Sequence, residues 1–266
     1  MDLWDNDAEQ AIRECHKWID QGLVHHPNAW VPLLSGGHDS ICATHIASLH
    51  PAAPKPFKVY FIDTGTGASY TRQYVEDRCE QFGWELVVRK SPREQDTFES
   101  FVAERGCPGP PMHRFAYNRL KERSIQLLSQ ELKRGQRPVM FVTGSRRKES
   151  KRRMGYAVAV RRGDGCSPCG CVSGCDKCGG TMQGALNNPS RLWVAPCIEW
   201  EPANQTVHMQ EFGIPRNKVK DLIGLSGECF CGANAEVDKG SREREIIDSH
   251  PLLADVKERI EKFEAI

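Results

Sequence analysis

Residues 33–40 read LLSGGHDS and follow the apolar run Trp30-Val31-Pro32. Two glycines, two serines, a histidine and an aspartate therefore fall where a short buried strand ends and a helix begins. Two readings compete for this stretch. One is an ordinary turn in which Asp39 or Ser40 caps the following helix. The other is an anion-gripping loop. Gly36 and Gly37 let backbone N–H groups converge without Cβ obstruction. Ser35 and Ser40 add hydroxyl donors, His38 sits between them, and Asp39 suits a Mg²⁺ ion carried by a polyphosphate. In a parallel sheet, ligands gather at the carboxyl ends of strands, and a Gly-rich turn into a helix N-terminus is an anion site. The loop is not of the Walker type, because the Gly-Lys-Ser/Thr ending is missing.

Working outward, the pattern alternates. A helix is expected from about Ala8 to Gln21, with Ala11, Cys15, Trp18 and Ile19 at helical spacing, and another from Ser40 to Leu49. FKVYFID (57–63), WELVVRK (84–90) and PVMFVTG (138–144) read as strands, like the apolar run at 30–34. Helices are expected at 69–83, 94–105 and 112–134, and LADVKERIEKFEAI closes the chain as a further one. Strands and helices in this alternation predict an α/β fold built on a doubly wound parallel sheet. Residues 164–190 break the texture, being rich in Gly, Cys, Asn and Ser and poor in apolar side chains. The expected organisation is thus a nucleotide-binding core over 1–163, a Cys-rich insertion over 164–190, and a C-terminal part over 191–266 packed on the core.

Composition narrows the class. The 266 residues are 39% hydrophobic and 27% charged, with a formal net charge of +1. That suits a folded protein and argues against disorder. It also gives the whole molecule no strong preference for nucleic acid or membranes. No run approaches the ~18 apolar residues of a membrane span, and MDLWDNDAEQ is unlike a signal peptide. A cytoplasmic location is expected, so the twelve cysteines point to metal or redox chemistry in preference to disulfides.

SGGHDS resembles the SGGxDS loop of the PP-loop nucleotide enzymes, the adenine nucleotide alpha hydrolase superfamily. FIDTGTGASYTRQYVEDRCEQFGWEL and the turn GCPGPPMHRFAYNRLKER resemble its phosphoadenosine phosphosulfate reductase branch, as does GSRRKESKRR (144–153), with its G-x-R-x-x-E-S-x-x-R pattern. The resemblance implies that Ser35, Gly36, Gly37, His38, Asp39 and Ser40 hold the pyrophosphate part of ATP or the matching group of an adenylyl sulfate. It makes Asp63, Thr64, Gly65 and Gly144 nucleotide contacts. Arg146 and Arg153 present fixed forks to phosphate or sulfate, with Glu149 orienting one of them. Asp39, Arg146, Glu149 and Arg153 are the catalytic candidates. A solvated basic helix start is the plainer account of the same charge run, and contact of Arg146–Arg153, Arg161 and Arg162 with nucleic acid is a third. In the 106–123 stretch His113, Tyr117, Arg119 and Lys121 are polar candidates, while Phe115, Leu120, Ile125 and Leu128 have core spacing.

Five cysteines lie between Cys166 and Cys178. Cys166-x2-Cys169 and Cys175-x2-Cys178 match the knuckles of a tetrahedral zinc site. An iron–sulfur cluster and reduced, metal-free thiols are the alternatives. Cys229 and Cys231 form a Cys-x-Cys pair in SGECFCG, and Cys107 and Cys197 are the best candidates to complete a [4Fe–4S] set with them. Such a cluster beside the nucleotide is what the resemblance to adenylyl sulfate reductases and to the DNA phosphorothioation sulfurtransferase implies. Cys15, Cys42 and Cys79 sit on apolar helical faces and are expected to be buried hydrophobes. The reductases carry a nucleophilic cysteine in a C-terminal ECG-like tail, whereas this chain has none after Cys231.

The leading expectation is an ATP-using enzyme that adenylates an acceptor with release of pyrophosphate and supports sulfur transfer or reduction through a cysteine-bound iron–sulfur cluster. Mg²⁺ offsets charge in that scheme, and a sulfur donor protein, a redox partner or a nucleic acid acceptor is its partner. Reduction of phosphoadenosine phosphosulfate to sulfite, and a non-catalytic nucleotide- or nucleic-acid-binding module, are the alternatives.

Overall fold

Apolar runs of four or five residues separated by helical stretches become strands and helices in strict succession. The computed structural model describes residues 3–91, 93–109, 112–149, 159–162, 190–224, 227–230 and 240–264. Helix α1 (Leu3–Leu23) is followed by β1 (Ala29–Pro32), α2 (His38–Leu49), β2 (Lys58–Ile62), α3 (Ser69–Phe82) and β3 (Glu85–Arg89). Next come α4 (Phe98–Arg105), α5 (His113–Tyr117), a π-helical turn (Asn118–Glu122), α6 (Arg123–Leu132) and β4 (Val139–Val142). Strands β5 (Val160–Arg162) and β6 (Arg191–Val194) precede α7 (Pro202–Glu211), α8 (Lys218–Ile223), α9 (Gly240–Ser249) and α10 (Ala254–Glu264). Among the described residues, no helix is long and apolar enough to cross a membrane.

The chain divides into two compact units. The first comprises Met1–Leu33, His38–Val59 and Ser129–Pro215, and the second Leu34–Gly37, Tyr60–Leu128 and Arg216–Ile266. The first unit is built on a four-stranded sheet of order β1-β4-β6-β5. β1 runs parallel to β4 with Ala29 opposite Val139, and β4 runs parallel to β6 with Val139 opposite Arg191. All four β4 side chains, Val139, Met140, Phe141 and Val142, are buried, as a central parallel strand covered on both faces requires. Helix α2 packs on β1, β4, α1 and α7. Its residues His38 and Ser40–Ala47 are therefore buried almost all round. A parallel sheet is present as expected, but β2 and β3 are not assigned to it, and β5 joins it antiparallel to β6, Val160 opposite Val194.

A second, two-stranded sheet pairs β2 with β3. In the second unit, α3 ends where Gly83 turns left-handed and its N–H meets the carbonyls of Cys79 and Glu80. One apolar cluster joins Phe98, Phe101, Val102, Ala116, Leu120 and Phe263. Another joins Ala68, Val219, Ile247, Leu253 and Val256. Two helices expected to be continuous are divided here. The 94–105 stretch opens as a 3-10 turn, Glu94–Asp96, and restarts at Thr97, whose extended backbone and side chain cap α4 by accepting from Ser100 N–H. The 112–134 stretch widens into the π-helical turn, which carries Leu120 into the first cluster and Lys121 to Glu228.

Candidate functional site

The loop after β1 contributes Ser35–Gly37 to the second unit and His38–Ser40 to the first. Leu33 N–H still pairs with the Val142 carbonyl at 2.9 Å. Beyond it Gly36 takes φ +80°, the left-handed conformation that favours glycine. His38 and Ser40 are buried, and Ser35, Gly37, His38 and Ser40 all make interactions within the fold. Asp39 lies in the first turn of α2, where the helix dipole favours a carboxylate.

In the first unit, Asp39 is the focus of three segments. Its Oδ1 accepts from Arg146 Nε and from Gln205 Nε2. The Arg146 and Asp39 side chains are only 11% and 19% exposed. Gly144 makes this approach feasible. A Cβ there would lie 2.4 Å from Asp39 C and Ser40 N, so the turn after β4 rests directly on the backbone of the α2 head. Of the basic run that follows, Arg147 and Lys148 are paired within the fold. Arg147 Nε and Nη2 meet Glu199 Oε1 at 3.0 and 2.7 Å, and Lys148 pairs with Glu201. Hydrogen bonds donated to these carboxylates raise both basic groups above their ordinary values. Arg146 instead turns toward Asp39, with Nη1 3.5 Å from the Trp200 carbonyl. Arg161 stacks its guanidinium 5.2 Å over Trp193. The Glu149 side chain and Arg153 lie outside the described residues.

Behind Asp39, α2 and α7 meet again. His45 Nδ1 and His208 Nε2 are 3.0 Å apart, with Phe212 and Trp200 against the rings. Burial pushes His45 down to about 4, and burial together with His45 pushes His208 down to about 3.

In the second unit, the Gly36 carbonyl accepts from Asn217 Nδ2 at 2.8 Å. Asn217 is fully buried and also caps α8 by accepting from Val219 N–H. At the end of β2, Asp63 Oδ1 takes the Gly65 N–H at 2.9 Å, and Lys90 and Arg72 lie 3.0 and 3.8 Å from Oδ2. Gly65 is left-handed at φ +77°. Thr64 Oγ1 donates to the Glu228 carbonyl at 2.8 Å, and Thr66 Oγ1 donates to Cys229 Sγ at 3.3 Å. Glu228 pairs with Lys121. Burial works against the Lys121 ammonium, yet Glu228, with Tyr117 and Cys229 adding, holds it above the ordinary lysine value. Segment 227–230 is thereby fixed on the 64–67 turn. The His113 side chain lies outside the described residues, Arg119 Nη2 meets Glu104 at 2.7 Å, and Tyr117 and Phe115 are exposed.

Three of the four cysteines of the expected cluster set, Cys107, Cys197 and Cys229, are among the described residues. Cys197 is fully buried, and burial raises its thiol well above the ordinary range, helped by a hydrogen bond with Cys15 and by nearby Cys42 and Asp39. Cys197 thus packs with Cys15 and Cys42 in the first unit. Cys107 is exposed and Cys229 half-buried. Cys231 and the zinc candidates Cys166, Cys169, Cys175 and Cys178 lie outside the described residues. Among the described residues, no group of three or more His, Cys, Asp or Glu side chains is placed to hold a metal ion. Burial likewise pushes Cys79 up to about 12, with Glu76 adding.

Sequence reasoning did not find Gln205, Asn217 or Thr66. Asn217 had a local signal, an Asn directly before Lys-Val-Lys-Asp-Leu-Ile. Gln205 had none.

Known proteins can be set beside this geometry. No curated protein sequence matches the chain significantly. Among solved structures, phosphoadenylyl-sulfate reductase from Candida auris in a phosphate complex is similar at TM-score 0.52 and 16% identity, over 84% of this chain and 93% of that one. The NH3-dependent NAD synthetase of Campylobacter jejuni aligns at TM-score 0.49 and 15% identity, over 98% and 94%. The FMN adenylyltransferase of Candida glabrata, in complex with FAD and inorganic pyrophosphate, aligns at 0.47 and 11%, over 84% and 64%. The first of these likenesses carries the fold. A family model, the phosphoadenosine phosphosulfate reductase domain, matches residues 29–220. With most of its length under that match, the chain belongs to the phosphoadenosine phosphosulfate reductase domain family.

Proposed function

We propose that the protein is an ATP-using member of this family that adenylates an acceptor and releases pyrophosphate. The observation that carries the reading is the Asp39 carboxylate at the head of α2, paired with Arg146 in a complete Ser-Gly-Gly-x-Asp-Ser loop. The loop N–H groups and the α2 dipole take the β- and γ-phosphates. The acceptor oxygen attacks the α-phosphorus, the bond to the bridging oxygen breaks, and pyrophosphate leaves with the electron pair. Arg146 is the cation that offsets charge on the departing group, through positioning and electrostatics in place of covalent chemistry. Among the described residues, Arg146 and Gln205 both donate to Oδ1 of Asp39, so Oδ2 suits a magnesium ion carried by the nucleotide, which would supply further charge compensation when bound. No step is drawn through a [4Fe–4S] cluster.

A second reading has its own observation. Cys229 accepts the Thr66 hydroxyl and lies beside Lys121. Its sulfur could attack the sulfonate of phosphoadenosine phosphosulfate and expel adenosine bisphosphate. A dithiol reductant would then release sulfite and itself become a disulfide.

One experiment separates the two. The purified protein is given magnesium ATP, or phosphoadenosine phosphosulfate with a dithiol, and both pyrophosphate and sulfite are measured. The primary reading expects pyrophosphate from ATP, abolished in Asp39→Ala. Sulfite release lost in Cys229→Ser, without pyrophosphate, replaces it with the second reading. Neither product overturns both.

A further inference from the structure

We propose that Gln205 is the positioning residue that keeps the Asp39 carboxylate aimed once a nucleotide has drawn Arg146 away. The inference rests on the polyphosphate reading above and goes beyond it by giving the two donors on Oδ1 different duties. Arg146 and Gln205 both meet that one oxygen. An incoming polyphosphate competes for a guanidinium, whose fork matches phosphate oxygens. It competes far less for a neutral amide. Arg146 is therefore the exchangeable partner of Asp39 and Gln205 the permanent one.

The fold around Gln205 suits a permanent anchor. Gln205 is buried at 6% exposure in the second turn of α7. Pro202 and a reciprocal capping box between Glu201 and Asn204 fix the helix start. One turn farther on, His208 meets His45 of α2 at 3.0 Å, under Trp200 and Phe212. Helix α7 is thus tied to α2 at residues 39 and 45 by side chains three positions apart. Gln205 cannot withdraw from Asp39 without unpacking that contact. Arg146 comes from the turn after β4, beyond any helix or strand.

The test measures binding as well as turnover. Gln205→Met and Gln205→Leu place an uncharged apolar side chain of similar size there and remove the donor. Affinity for magnesium α,β-methylene-ATP, which cannot release pyrophosphate, is read by calorimetry, and melting is read without nucleotide. Both variants are expected to bind the analogue about 10-fold or more weakly, the range for a hydrogen bond to a charged group. Without nucleotide, where Arg146 still holds Asp39, they are expected to melt within about 2 °C of the wild type. Wild-type affinity in either variant overturns the inference. So does a loss of free-state stability that matches the loss of affinity, because that marks a merely structural role. If the wild type binds the analogue but releases no pyrophosphate from ATP, the adenylation reading fails while the role of Gln205 is still decided by binding. If the wild type does not bind the analogue at all, both fall.

Discussion

Replacing Gly144 with alanine tests the approach of the β4 turn to the α2 head most directly. The new Cβ would stand 2.4 Å from Asp39 C, 2.4 Å from Ser40 N and 2.6 Å from Asp39 O. Ordinary contacts begin near ~3.4 Å, so roughly 1 Å of separation is missing. All three atoms are backbone in the first turn of a buried helix, and none can swing aside. Overpacking of a well-filled core costs about 1–3 kcal/mol, and rigid backbone places Gly144→Ala near the top of that range. For a chain of this size, ~3 kcal/mol lowers the melting temperature by roughly 6–12 °C. The shift that relieves the clash moves Asp39, so affinity for the ATP analogue is expected to fall at least ~10-fold as well. Gly65→Ala is the contrast. Gly65 has φ +77° and nothing within 4 Å of its added Cβ, so alanine there meets only the left-handed strain of about 1–2 kcal/mol. Urea and thermal melts of both variants, with calorimetric titration of the analogue, read the two effects separately. A Gly144→Ala protein that melts and binds like the wild type, or that is the milder of the pair, would refute the reasoning.

Three further outcomes are expected. His45 and His208 are held near 4 and 3 when folded, below their ordinary value. The stability they contribute is full above about pH 6.5 and is lost as pH falls toward 4, at up to roughly 2.7 kcal/mol per pH unit for two protons. His208→Gln should flatten that slope in urea titrations between pH 6 and 4, and an unchanged slope counts against the pair. Lys121→Met leaves Glu228 unpaired under the second-unit core and should cost about 3–5 kcal/mol, with Lys121→Met/Glu228→Gln recovering most of it. Because the folded Lys121 value is raised, its stabilisation is present below the ordinary lysine value and is lost as pH rises through the raised one. Equal stability of the single and double variants would contradict this. Finally, brief iodoacetamide labelling with peptide mapping should modify Cys107 and spare Cys15, Cys42 and Cys197 until urea unfolds the chain. Labelling of Cys197 in the native protein would reverse that assignment.

The loop and the sheet were legible because both are written locally. Two glycines after an apolar strand, and the continuous apolar run Val139–Val142, carry their meaning within a few residues. The partners of those residues were not. Gln205 reaches Asp39 across 166 positions, and nothing in its helical neighbourhood marks it out. The basic run 146–148 reads from sequence as a patch for anions. Its neutralisation depends on Glu199 and Glu201, which only the pairing of distant segments brings alongside. The burial of Cys197 beside Cys15 was illegible for the same reason, since it comes from packing and not from its own context. The π-helical turn escaped notice because a 3.6-residue period cannot show one extra residue per turn.

The antiparallel seating of β5 against β6 bears on how the chain can change over evolutionary time. Val160 faces Val194, and Arg162 faces Leu192, so the stretch between these strands leaves the sheet and returns to it at adjacent points, about 5 Å apart. A two-residue turn could close the same gap, and each doubling of a loop costs only ~0.6 kcal/mol in closure entropy. A change in the length of chain between Arg162 and Arg191 therefore leaves the pairing of β1, β4 and β6 unaltered, because neither register depends on how far apart those two residues are in sequence.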